Sequence, residues 1–132
     1  MNLLLDTNVC VDALRGHPKV MAQMEAVSPA DCAISSVTAF ELLCGVRRSA
    51  QPERETRKLE KFFAVVGVLP FDAKAATRAA GIRSALEATG LKIGPYDLLI
   101  AGHALGAGYT LVTNNTREFS RVEGLQLLDW RS

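Results

Sequence analysis

The sequence predicts an α/β fold in which helices cover both faces of a central, mostly parallel sheet of about five strands. Short apolar runs typical of buried strands alternate with segments of helical periodicity along all 132 residues. Such alternation indicates strand–helix–strand units, whose strands pair in parallel. The chain has no linker, low-complexity stretch or internal repeat, and its length is typical of one domain. We therefore expect a single three-layer α/β/α domain over residues 1–132.

The first half of the chain is expected to form two strands and four helices. In order these are a buried strand over residues 2–5, helices over 8–15 and 17–27, a strand over 32–34, and helices over 37–48 and 52–66. Gly16 is a typical helix C-terminal residue, and Ser35 or Ser36 can cap the third helix. Pro52 suits the first position of the fourth helix, because proline there removes no helical hydrogen bond.

The second half is expected to form three strands and two helices. In order these are a strand over 68–71, a helix to about 89, a helix over 95–105, and strands over 109–113 and 125–128, the last at a sheet edge. Asp72 is a good cap for the first of these helices, which Gly90 closes. Pro95 opens the other helix, and Gly106 and Gly108 are expected to end it.

The composition is that of an ordinary globular domain. Hydrophobic residues make up 48% and charged residues 22%, and no uncharged apolar run approaches the roughly 18 residues of a membrane helix. Asp6 follows only three leucines, so the N-terminus does not resemble a signal peptide. Cys10, Cys32 and Cys44 form no CxxC motif and are expected to be free thiols. These features favour a cytoplasmic protein.

Basic residues are concentrated in one segment although the net charge is only +1. Residues 47–61 contain six cations, interspersed with Glu53, Glu55 and Glu60. A solvated helix face and a surface that contacts phosphates both account for such a segment, and the sequence leaves the two alternatives open.

Three carboxylates lie where a local ion pair does not account for them. They are Asp6, Glu41 and Asp97, and each lies in or directly after an apolar run with no Lys or Arg three or four residues away. Taken singly, they are explained as a helix cap, a buried acid bonded to a hydroxyl, and a first-turn acid favoured by the helix dipole. Taken together, they indicate one shared site, because ionised carboxylates in apolar surroundings need a partner. Hard divalent cations are the ligands that such a site binds.

The predicted topology brings these acids to one edge of the sheet. Ligands of open parallel sheets bind at the carboxyl ends of the strands. Asp6 ends the first strand, Asn114 and Asn115 follow the fourth, and Glu41 and Asp97 lie in the first turns of helices. Asn8 stands where a haloacid-dehalogenase-type phosphatase has a second Asp. The segment after the first strand also lacks the GxGxxG motif of dinucleotide-binding folds.

Four motifs give the chain a resemblance to the PIN domain family, and within it to VapC-type toxins of bacterial toxin–antitoxin pairs. In order they are LDTN at 5–8, SVTAFEL at 36–42, YDLLIAGHA at 96–104 and LVTNNTREF at 111–119, and the likeness continues into LDW at 128–130. The resemblance implies a PIN-like fold and a Mg²⁺- or Mn²⁺-dependent endoribonuclease. The substrate it implies is structured RNA, and the wording of the motifs is most similar to that of toxins that cleave transfer RNA.

The resemblance also implies roles for individual residues. Asp6, Glu41 and Asp97 take the positions of the catalytic acidic triad, and Asn115 takes the fourth position, where many relatives have Asp. Asp6 and Asp97 are the expected metal ligands, and Glu41 is expected to orient or deprotonate the attacking water. Thr7, Ser36 and Thr113 are expected to donate hydrogen bonds to the acids, with turn and cap hydroxyls as the alternative. His103 lies six residues beyond Asp97 and is not expected to act as a general base.

The implied partners are the RNA substrate, a VapB-type antitoxin and a second copy of the chain in a homodimer. The surface expected for the protein partners is on the helices between residues 37 and 66, which carry more apolar residues than one buried face needs, namely Phe40, Leu43, Leu59, Phe62 and Phe63. The sequence also allows two other functions. A PIN-like module that binds RNA or protein without cleavage does not need an intact triad, and a DNA-directed structure-specific nuclease usually carries further DNA-binding segments.

Overall fold

The fold is built on a five-stranded sheet with the spatial order β3-β2-β1-β4-β5. A computed structural model describes residues 2–132, so Met1 lies outside the described residues. The strands are β1 Leu3–Leu5, β2 Cys32–Ser35, β3 Gly67–Leu69, β4 Thr110–Val112 and β5 Leu127–Leu128. All four neighbouring pairs are parallel. The expected α/β fold is therefore confirmed, with a sheet that is parallel throughout and with β5 at an edge.

Seven α-helices and one 3₁₀ turn connect the strands within residues 2–132. The helices are α1 Thr7–Leu14, α2 Pro18–Ala26, α3 Ser36–Arg47, α4 Pro52–Val65, α5 Ala73–Ala88, α6 Pro95–Ala107 and α7 Thr116–Phe119. The 3₁₀ turn Pro29–Asp31 and the four-residue α7 were not predicted, because so short a segment has no readable periodicity. No helix in the described part of the chain has the length and apolar character needed to cross a membrane.

Two predicted boundaries are wrong for identifiable reasons. The third strand was expected over residues 68–71, but β3 begins at Gly67 and ends at Leu69. Pro70 has no N–H to donate and therefore does not continue the strand. Gly106 was expected to end its helix, but it lies within α6, and the turn into left-handed conformation occurs at Gly108, whose φ is 73°.

The apolar core lies on both faces of the sheet, as the alternation along β1 requires. Leu3 and Leu5 pack with Ile34 and the residues of α1 to α4 on one face. Leu4 packs with Leu111 and the residues of α5 to α7 on the other face. All three leucines of β1 are fully buried, which is expected of the central strand of a parallel sheet.

Helices α5 and α6 pack unusually close to each other through small residues. A Cβ atom on Gly102 would lie 2.6 Å from both the Cβ and the backbone nitrogen of Ala79. A Cβ atom on Gly106 would lie 3.2 Å from the backbone nitrogen of Ala75. Both glycines therefore allow the two helix backbones to touch, and this contact fixes the position of α6, which carries Asp97.

The three cysteines are free thiols, as expected. Burial raises the pKa of the Cys10 and Cys32 thiols, so both remain protonated and inert at neutral pH.

The close contact between α5 and α6 predicts opposite effects for two glycine substitutions. Gly102→Ala should lower the free energy of unfolding by about 1–3 kcal/mol, because its methyl group overlaps the backbone of Ala79. Gly81→Ala, in the open face of α5, should raise it by up to about 1 kcal/mol, because nothing lies within 4 Å of the added Cβ and alanine favours a helix. Urea denaturation of both variants tests this. Equal effects of the two substitutions would contradict the packing described here.

Candidate active site

Asp6 lies at the carboxyl end of the central strand and is held by two hydrogen bonds. Its Oδ1 accepts from the backbone N–H of Val9, which makes Asp6 the N-cap of α1. Its Oδ2 accepts from the hydroxyl of Thr113 at 2.5 Å. Only 2% of Asp6 is exposed. Asp6 is therefore both a cap and a buried acid in the crevice, so the two explanations offered for it do not exclude each other.

Burial dominates the ionisation of Asp6. Loss of hydration raises its pKa from 3.8 to about 6, although the hydrogen bonds from Thr113 and Val9 act in the opposite direction. The negative charges of Asp97 and Asp12 raise the pKa further. The ionised form of Asp6 is thus unfavourable in the isolated protein, and a cation beside it would remove that penalty.

Glu41 is oriented toward the site by the residue that follows Asp6. The hydroxyl of Thr7 donates to Glu41 Oε1 at 2.7 Å, and it lies 3.3 Å from the hydroxyl of Thr38. Thr38 is fully buried, one helical turn before Glu41 in α3. The start of α1 therefore positions two acids, Asp6 directly and Glu41 through Thr7.

Asp97 lies in the first turn of α6 and interacts electrostatically with the other acids. Partial burial is the largest cause that raises its pKa, followed by the charges of Glu41 and Glu118. The side chain of Asn115 acts in the opposite direction by hydrogen bonding. Asp97 is therefore close enough to interact electrostatically with Asp6, Glu41 and Glu118.

Asn115 contacts an acid that the sequence analysis missed. Its Nδ2 donates to Glu118 Oε2 at 2.7 Å, and its backbone N–H donates to the hydroxyl of Thr113 at 2.9 Å. Glu118 lies three residues after Asn115 on the short helix α7. The fourth position of the site is thus an amide paired with a carboxylate, which adds the negative charge that Asn115 itself lacks.

The preceding asparagine, Asn114, faces the rim of the site. Its Nδ2 lies 3.4 Å from Asp12 Oδ2, and the guanidinium of Arg131 binds both oxygens of Asp12 at 2.7 and 2.9 Å. Asn114 thus points toward a neutralised surface pair, whereas Asn115 points toward Glu118. Of the two asparagines, it is Asn115 that faces the acids.

Ser36 and His103 have roles outside the acidic crevice. The hydroxyl of Ser36 accepts from the backbone N–H of Phe71 at 2.9 Å, which agrees with the alternative of a turn hydroxyl. His103 Nδ1 lies 2.7 Å from the hydroxyl oxygen of Ser35, which caps α3 by accepting from Val37. Burial lowers the pKa of His103, against the opposing charge of Asp72. His103 therefore joins α6 to the start of α3.

The side chains of the crevice suit a hard divalent cation. They supply carboxylate, hydroxyl and amide oxygens, which are the ligands that Mg²⁺ and Mn²⁺ prefer. Among residues 2–132, no three Asp, Glu, His or Cys side chains are grouped closely enough to enclose an ion by themselves. Mg²⁺ normally uses one or two carboxylates and keeps several waters, so the set fits this ion without a protein cage.

Known proteins are similar to this chain in sequence and in fold. The sequence profile of the PIN domain family matches residues 3–125 of this chain. A Shigella flexneri protein named tRNA(fMet)-specific endonuclease VapC is 42% identical over 130 residues, which cover 98% of either chain.

Two solved structures have the same fold over almost the whole chain. VapBC2 from Rickettsia felis, bound to a DNA fragment from its promoter, has a TM-score of 0.92 at 39% identity and covers 98% of this chain and 99% of that one. DNA-bound VapBC from Salmonella typhimurium has a TM-score of 0.93 at 38% identity and covers 98% of each chain. The likeness therefore extends to every strand and helix that positions the acids.

The raised pKa of Asp6 predicts how metal-free stability depends on pH. The native state holds the Asp6 proton more tightly than the unfolded state, so ionisation of Asp6 lowers the free energy of unfolding. This loss grows as pH rises from about 4 to 6 and reaches about 3 kcal/mol at higher pH. Asp6→Asn removes this loss. The melting temperature of Asp6→Asn minus that of the wild type, measured in EDTA, should therefore increase between pH 4 and 7. A difference that stays constant with pH would contradict this origin of the shift.

Proposed function

Because the chain belongs to the PIN-domain family and is a homologue of VapC proteins, we propose that it is a metal-dependent endoribonuclease that acts as the toxin of a toxin–antitoxin pair. One observation carries the proposal: Asp6, Glu41 and Asp97 come from three separate elements, and Asp97 is close enough to interact electrostatically with Asp6, Glu41 and Glu118. We also propose that residues 1–132 form a single PIN domain, since both core clusters share one sheet.

Each acid has a proposed role that follows from its surroundings. Asp6 and Asp97 would hold the ion, because both carboxylates have raised pKa values and gain most from a neighbouring cation. A bound ion would activate a water and would offset charge on the phosphoryl oxygens. Glu41 orients or deprotonates the attacking water, and Thr7 fixes one of its oxygens for that task. Asn115 orients Glu118 and limits the repulsion between Glu118 and Asp97.

We propose transfer RNA as the substrate and Mg²⁺ or Mn²⁺ as the ion. The relatives from Shigella flexneri and Salmonella typhimurium are named as tRNA(fMet)-specific endonucleases, and they are 42% and 38% identical to this chain. The all-oxygen donor set supports either ion. A non-cleaving module remains the alternative function, and no feature of the site favours it.

The antitoxin is proposed to occupy a groove between α1, α3 and α4. The groove has a volume of about 490 Å³, and its lining includes the apolar residues Val11, Leu14 and Leu42 together with Thr7 and Glu41. A segment lying in it would lead a terminal Arg or Lys to the acids, where a guanidinium can take the place of the ion. The VapBC structures from Rickettsia felis and Salmonella typhimurium support a partner of this kind.

A homodimer is proposed through apolar side chains beside the crevice. Phe40, Leu43 and Tyr96 are 45–49% exposed, and the rings of Phe40 and Tyr96 meet edge to face with centroids 5.7 Å apart. Leu59, in contrast, is only 2% exposed, and Phe62 and Phe63 pack against the core. The expectation of an exposed apolar surface is therefore wrong for Leu59, whereas Phe40 and Leu43 of α3 and Tyr96 of α6 are exposed. Val65, the last residue of α4, is also 56% exposed.

The proposed roles predict that the triad acts as a unit. Asp6→Ala, Glu41→Ala and Asp97→Ala should each abolish most cleavage of transfer RNA, and double variants should lose little more, because each step needs all three. Asn115→Ala should weaken cleavage, whereas Asn114→Ala should change it little. Initial rates at saturating Mg²⁺ test this.

His103→Ala is the matched control. It should retain more activity than any triad variant, with a lower melting temperature, since His103 contacts Ser35 and supports α6 without contacting an acid itself. Full activity in Glu41→Ala would remove Glu41 from the mechanism.

The proposed antitoxin groove predicts that binding and inhibition are separable. An antitoxin truncated before its basic tail should bind the groove but inhibit poorly, because the acids remain free. Light scattering on the isolated chain at micromolar concentration should give the mass of a dimer. Undiminished inhibition by the truncated antitoxin, or a monomer in light scattering, would count against these surfaces.

A further inference from the structure

Helix α4 carries its cations on one side. Residues 54, 57, 58 and 61 fall within an arc of about 100° around the helix axis at 3.6 residues per turn. We call the side chains of Arg54, Arg57, Lys58 and Lys61 the α4 ridge, and all four are exposed. The arc lies about 150° from Leu59, which is buried in the core. The ridge therefore faces solvent, and Lys58 is its member on the side of the groove.

The charge of the α4 ridge is not neutralised by its own helix. Glu53 and Glu60 lie to one side of the ridge, and Glu55 lies on the other side, toward the groove. Their spacing permits i, i+3 and i, i+4 pairs, yet none of the ridge cations is within 4.0 Å of an acid in the described part of the chain. Arg54 donates only to the neutral side chain of Gln51. The positive charge is therefore free for an external partner.

The α4 ridge is continuous with the candidate active site. Lys58 of α4 lines the same groove as Thr7 of α1 and Glu41 of α3. Arg47 and Arg48, at the end of α3, are exposed near the start of α4 and extend the positive surface. A chain of phosphates on the ridge would therefore lead along the groove toward Glu41.

We propose that the α4 ridge binds the phosphate backbone of the RNA substrate and directs the strand into the groove toward Glu41. The inference rests on the proposed ribonuclease function and adds the surface that holds the substrate. Exposed Lys and Arg without aromatic or apolar anchors are typical of phosphate contact, whereas the centres of protein interfaces are poor in Lys. The ridge extends for about 10 Å, enough to contact more than one phosphate of a strand.

The test compares RNA binding by two sets of charge-neutralising substitutions. One variant carries Arg54→Gln, Arg57→Gln, Lys58→Gln and Lys61→Gln. The matched control carries Lys74→Gln, Arg78→Gln, Arg83→Gln and Lys92→Gln, which remove the same charge from exposed positions on and near α5. Both are made with Asp97→Asn to prevent cleavage. The probe is bulk bacterial transfer RNA, and the dissociation constant is measured at several KCl concentrations.

The ridge variant should bind transfer RNA at least about tenfold more weakly at 0.1 M salt, and the slope of log K against log salt should become shallower by up to about 3. That change corresponds to four lost contacts at about 0.7 each on a single strand. The α5 control should stay within about threefold of the parent. Thermal melting should be similar for both variants, since all eight side chains are exposed.

The possible failures are distinguishable. A ridge variant with the parent's slope and affinity, or an α5 control that loses as much, overturns the inference even if the wild type cleaves RNA. Loss of antitoxin binding alone also overturns it, and assigns the ridge to a protein partner. Ridge-dependent binding by a wild-type chain that never cleaves RNA supports the ridge and removes the proposed nuclease activity.

Discussion

The burial of a carboxylate at the end of the central strand is the constraint on which the site depends. Asp6 is 2% exposed, and ionising it is costly because its pKa is raised to about 6. Two hydrogen bonds hold it, from the first turn of α1 and from Thr113 after β4. The bond from Thr113 exists because β1 and β4 are parallel neighbours, so that their carboxyl ends meet, whereas the bond from Val9 is the local cap of α1. The sheet topology and the acid are therefore parts of one arrangement.

The remaining acids are positioned by contacts outside the crevice. Asp97 is carried by α6, whose place is fixed by the contact of Gly102 with Ala79. His103 joins α6 to Ser35, the residue that caps the helix carrying Glu41. Thr7 then fixes Glu41 itself. Elements on both faces of the sheet thus determine the separation of Glu41 and Asp97, two carboxylates whose like charges repel each other.

The sequence predicted those parts of the structure that have a strong local signal. Asp6, Glu41 and Asp97 were identifiable because an acid in an apolar run without a nearby cation is physically unusual. Glu118 was not identified, since it lies on α7, which has only four residues and therefore no readable periodicity. A helical spacing of three residues from Asn115 was the available signal.

Other errors have a common cause in tertiary packing. Gly106 is a helix-ending residue by propensity, yet the close approach of α5 requires a glycine inside α6. The number of apolar residues in α3 and α4 suggested an exposed surface that included Leu59, yet Leu59 faces the core. Helical periodicity, applied to this segment, separates the buried apolar side from the α4 ridge on the opposite side.

The proposed activity depends on a divalent cation held by Asp6 and Asp97. The most direct measurement is a crystal structure of the protein soaked in Mn²⁺, with anomalous differences collected to locate the ion. The account predicts one strong peak within coordinating distance of an oxygen of Asp6 or Asp97, and none at that place in crystals of Asp6→Asn/Asp97→Asn. A crystal with full Mn²⁺ access and no peak in the crevice, or with a peak bound only by other residues, would contradict it.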